Sequence, residues 1–146
     1  MTRTNLLRLL RLAPLSVALA LPLSAAAHGQ QSRASFSFGR TGGNIAPFTV
    51  TIGRDGHLTA RGPAQLAKPD AVVPAPALAG LLKLATAEKF FALPNAVRCK
   101  QTPPDFAASF VAITQASGTK KVTVHGDCRP AFTQLYSVVS AVAGVA

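Results

Sequence analysis

Two short runs joined by one turn constrain this chain more than any other feature. Phe48-Thr49-Val50-Thr51-Ile52 places apolar side chains on one side and threonine on the other, all of them residues that favour extended backbone. Gly53-Arg54-Asp55-Gly56 follows with an Asp-Gly step, and His57-Leu58-Thr59-Ala60-Arg61 returns with Leu58 on the apolar side. Alternation, tight turn and renewed alternation specify a β-hairpin, so at least one antiparallel sheet face must be covered by apolar partners.

The flanking patterns supply those partners. Ala34 to Phe38 alternates small or polar with aromatic residues, a first half-buried strand, and Gly39 to Pro47 is a glycine-containing loop. After the hairpin, Gly62 to Pro76 is rich in proline and irregular. A helix is expected from Pro76, with Leu78, Leu81, Leu82 and Ala85 on one face, running to Phe90-Phe91-Ala92-Leu93 before Pro94. Asn95 to Asp105 reads as a loop. Phe106 to Thr114 is apolar on both sides, the mark of a central strand, and Lys120 to His125 runs back from a turn at Gln115 to Gly118. Asp127 is placed to cap a closing helix that has Pro130 in its first turn. Phe132, Leu135, Tyr136, Val139 and Val142 form its stripe, and Gly144 ends it. The expected fold is α+β, a two-layer sandwich of one antiparallel sheet of four to five strands with two helices on one face.

The ends and the cysteines set the compartment. Arg3, Arg8 and Arg11 precede an apolar run from Leu12 to Leu23, and Ala25 and Ala27 form an A-x-A cleavage site. Residues 1–27 therefore read as a cleavable Sec-type signal peptide. The apolar run Leu12 to Leu23 is too short and too often broken by proline for a membrane span, and none is expected in the mature chain. The expected product is secreted or periplasmic, a leader at 28–33 followed by a single domain at 34–146. Cys99 and Cys128 are its only cysteines, and an isolated pair in an oxidising compartment is most simply a disulfide.

The motifs Arg40-Thr41-Gly42, Pro47-Phe48, Arg54-Asp55-Gly56, Phe90-Phe91-Ala92-Leu93 and Pro103-Pro104-Asp105 occur in that order between Ser35 and Gly144. In these the chain resembles a family of small bacterial secreted domains of unknown function. It differs from them at Gly43 and Ala46, where members often carry a cysteine pair. The resemblance implies the strand–hairpin–helix–hairpin–helix order and no activity.

Candidate chemistry is sparse. His125-Gly126-Asp127-Cys128 with Cys99 has metal-ligand spacing, but three ligands without a fourth favour the disulfide. A hydrolytic enzyme would draw on His57 or His125 with Ser109, Ser117 or Asp127, and no nucleophile-elbow motif accompanies them. Cleavage after Ala27 would free the amine and imidazole of His28, which with His57 or His125 would suit copper. No cofactor, catalytic residue or enzymatic role is assigned.

Once residues 1–27 are removed, twelve Lys and Arg face five acids, a net charge of +7. This balance favours an anionic envelope component or another protein as partner. Basic runs interleaved with exposed aromatics are missing, so specific nucleic-acid binding is not expected. The expected function is a non-catalytic binding or envelope-associated module, with Arg54 and Asp55 in the hairpin and Arg98 and Lys100 in the Asn95–Asp105 loop as its binding surface. A small metal-binding protein is the alternative, and a hydrolytic enzyme the third.

Overall fold

The computed structural model describes residues 32–145. The expected signal peptide at 1–27 and His28 lie outside the described residues. Nine elements follow in order: β1 (Ser35–Thr41), β2 (Phe48–Ile52), β3 (Leu58–Arg61), α1 (Ala75–Ala87), a 3-10 turn (Phe90–Ala92), β4 (Ala96–Arg98), β5 (Ala108–Gln115), β6 (Gly118–His125) and α2 (Pro130–Ala143). They build an α+β domain around one six-stranded sheet of order β3-β2-β1-β5-β6-β4.

The sheet departs from expectation in two ways. It has six strands, and it is mixed, because β4 lies parallel to β6 through Ala96–Thr123, Val97–Val124 and Arg98–His125. The segment 95–105 was expected to be a loop. Three residues of Ala-Val-Arg carry too short a pattern to declare a strand, and their partner lies far along the chain.

Helix α1 also ends earlier than its apolar stripe suggests. Thr86 turns its hydroxyl back to the Leu82 carbonyl at 3.0 Å, and Lys89 takes the left-handed conformation at φ 53°. That residue reverses the chain, so Phe90 turns into the core and is 1% exposed. Asp127 does not cap α2. Pro130 fixes the helix start and makes Arg129 the cap position, while Asp127 Oδ1 accepts a hydrogen bond from the Thr133 hydroxyl at 2.9 Å.

Strand alternation divides the sheet cleanly. Phe36 and Phe38 of β1, Val50 and Ile52 of β2, Val111 and Ile113 of β5, and Val122 and Val124 of β6 are all buried. Leu78, Leu81 and Ala85 of α1 and Phe132, Leu135 and Val139 of α2 join the same core. Tyr136 of α2 meets Phe38 edge-on, with ring centroids 5.8 Å apart. Burying these Phe, Leu, Ile and Val side chains, each contributing about 1.5–3 kcal/mol, provides the main driving force of folding.

The proline-rich connection 62–74 is not free either. His57 bridges to Val72 and Leu66 to Val145, and the Val73 amide donates to the Gly56 carbonyl at 3.0 Å. Ser32, at the end of the expected leader, donates its N–H to the Arg54 carbonyl at 2.7 Å. No helix among the described residues is long and apolar enough to cross a membrane.

Candidate binding face

The second set of alternating residues faces away from this core, exposed or half-buried apart from Gly39 and Phe110, and the register arranges it in rows across the strands. One row runs Thr59–Thr51–Ser37–Ala112–Lys121. The next runs Arg61–Thr49–Gly39–Phe110–Thr123–Ala96. A third carries Thr41–Ala108–His125–Arg98, and a fourth Ser35–Thr114–Thr119. Hydroxyls and cations dominate these rows, and no acid stands in any of them.

The hydroxyls are paired across strands. Ser37 Oγ and Thr51 Oγ1 lie 2.8 Å apart, as do Thr114 Oγ1 and Thr119 Oγ1. A hydroxyl that gives or takes one bond sideways retains capacity for an outward bond. Threonine is also stiff at its first side-chain torsion, so these groups are held in place before any ligand arrives.

Lys121 is fixed by a different device. Its ammonium lies 4.4 Å from the centre of the Phe110 ring, within range of a cation–π attraction. Phe110 is itself 5% exposed, because its ring crosses Gly39, where a side chain would collide with both the ring and the Phe48 carbonyl. Glycine at this position leaves room for the ring, over which the Lys121 ammonium sits.

At the Thr41 end the face dips into a cavity of about 450 Å³. Thr41, Arg98, Phe106, Thr123 and His125 contribute to its lining. Phe106 is 43% exposed, and the Arg40 guanidinium stands 5.9 Å from its ring centre. His125 fixes this corner, its Nε2 donating to the Phe106 carbonyl at 2.6 Å. The buried Nδ1 has no hydrogen-bond partner. The ring acts as a strut, with neither nitrogen bonded to a serine or a thiol.

Below His125 the disulfide is formed. Cys99 and Cys128 are joined with their Cα atoms 5.6 Å apart, across 29 positions of sequence. Both thiols are consumed, so neither is a metal ligand.

The structure brings together some of the sequence-predicted residues and separates others. Arg98 and His125 are register neighbours, while Lys100 follows just beyond Arg98 on an exposed turn. Arg54 and Asp55 sit at the far corner, where the Asp55 carboxylate accepts the His57 N–H at 3.1 Å and shapes the hairpin turn. Four strand spacings and about six residues of strand length separate His57 from His125, roughly 28 Å on the diagonal, so one small ion cannot bridge them. Among the described residues no three His, Cys, Asp or Glu side chains gather to hold a metal ion. Lys121, Arg61, Phe106 and the hydroxyl rows escaped the sequence reading of the site. The signal was present in the Thr-x-Thr alternation of the hairpin, but only the register reveals that it continues across neighbouring strands.

No family model matches this chain, and neither does any curated protein or solved structure.

Proposed function

We propose that this is an exported, non-catalytic binding module that holds an anionic ligand on the open face of its sheet. One observation carries the reading. Arg61, Lys121 and Arg98 project from cross-strand rows that contain hydroxyls and no carboxylate, so an anion gains attraction there without like-charge opposition. The cavity beside Arg98, with its exposed Phe106, gives the ligand a partly apolar end stop. Export rests on the signal-like segment at 1–27 and agrees with a disulfide in the folded domain.

The test uses purified protein with three anionic probes: a polyuronate, phospholipid vesicles rich in an anionic headgroup, and single-stranded DNA. A Lys121→Glu/Arg98→Glu variant should lose binding to whichever probe the parent holds. Arg54→Glu, at the opposite corner, should retain it. Equal binding by the double variant and the parent would remove the open face from consideration.

A further inference from the structure

We infer that the anionic ligand is an acidic polysaccharide lying across the strands, an assignment that rests on the binding role proposed for the open face. Three properties of the face point to this class.

The first is spacing. Successive strands stand about 4.8 Å apart, so a cross-strand row offers a group at each such step. This matches the advance of one ring along an extended sugar chain. The row Thr59–Thr51–Ser37 presents three hydroxyls at consecutive steps, and Lys121 stands at its far end. A chain crossing the sheet would meet hydrogen-bonding groups repeatedly and a cation intermittently.

The second is the ratio of hydroxyls to charges. A polyphosphate or nucleic acid carries a charge on every unit and is normally met by a matching density of Lys and Arg. This face has few cations spread over a wide hydroxyl surface, which suits a polymer with many hydroxyls and occasional carboxylates. Sugar hydroxyls both donate and accept, as do Ser and Thr, whereas a phosphate takes donors only.

The third is the exposed Phe106 at the edge of the face. The Arg40 guanidinium stands 5.9 Å from its ring centre, yet Phe106 remains 43% exposed, an apolar surface of the kind that one face of a sugar ring covers. Phe110 cannot serve this way, because Gly39 lies beneath it and Lys121 above. The preset threonine rotamers reduce the ordering cost of such a contact, so several weak bonds can add to a measurable affinity.

Calorimetric titration with polygalacturonate, with the same polymer after methyl esterification, and with single-stranded DNA tests the assignment. Anionic vesicles complete the set. The polyuronate should bind most tightly. Esterification, which neutralises the ligand and leaves the protein unchanged, should weaken it about tenfold without abolishing it. A Ser37→Ala/Thr51→Val variant should weaken polyuronate binding about tenfold, with DNA binding unchanged. Tighter binding of DNA or vesicles than of polyuronate, or full indifference to both changes, would overturn the polysaccharide and leave an anion-binding face. Failure to bind any of the probes would remove the binding role as well.

Discussion

Replacing both cysteines, as Cys99→Ser/Cys128→Ser, should cost this domain a large part of its stability, and the loss can be sized from the loop it opens. The bridge spans 29 positions, for which the chain-entropy relation gives about 3.6 kcal/mol. In a domain of this size that corresponds to a fall of about 15 °C in Tm. The damage should also be local. Strand β4 has three register pairs on one side only, and its backbone bonds to β6 include Cys99 N–H to the His125 carbonyl at 2.9 Å. Equilibrium urea unfolding of parent and double variant, without reductant, measures the global term. Amide exchange at Val97 and position 99 measures the local one, and protection there should fall before that of β5. A stability loss below about 1 kcal/mol would refute the loop-entropy reasoning. Unchanged exchange in β4 would show that its three pairs suffice without the bridge.

Three further predictions concern the core, the face and the loop after β1. Burial raises the Tyr136 phenol above its ordinary 10.0, and Arg40 partly opposes the rise. The folded state therefore holds this proton more tightly than the unfolded chain; its contribution is complete below pH 10.0 and is lost as pH rises through the folded value. Stability curves above pH 10.0 should be flatter for Tyr136→Phe than for the parent. Gly39→Ala should destabilise by about 2–4 kcal/mol through its clash with the Phe48 carbonyl and the Phe110 ring. Gly42→Ala, with open space around it but φ +64°, should cost only roughly 1 kcal/mol in the same urea assay.

The parts of the fold that were legible are those whose physics is local. The hairpin Phe48–Arg61, the central position of β5 and the stripe of α2 each follow from a period that a few consecutive residues display. Strand β4 was hidden because its pairing with β6 is parallel and long-range, and three residues show no period. The end of α1 was hidden for a related reason. Phe90 has an apolar side chain that fits a helical stripe, and only the left-handed Lys89 shows that the chain has already turned. The site was less legible still. Arg54 and Arg98 look equivalent as loop cations, yet the register sets them at opposite corners, while Lys121 gains its position from an aromatic and a glycine on two other strands.

Four ties hold β4 and the segments beside it, and they favour a rigid purpose for this edge. A three-residue parallel strand is a weak element by itself, with few bonds to offset the entropy of fixing its backbone. The disulfide anchors its end. Before its start, Lys120 donates from Nζ to the Leu93 carbonyl at 2.6 Å and to Asn95 Oδ1 at 2.8 Å. Beyond it, the Thr102 hydroxyl reaches the His125 carbonyl at 3.4 Å, and the His125 ring holds the backbone of Phe106. The ties come from β6, from the disulfide and from the segment just after β4. Together they fix Arg98, Phe106 and His125 in one corner of the open face. A corner fixed before binding loses little freedom when a ligand arrives, and that is the condition under which a shallow surface of modest contacts can retain one.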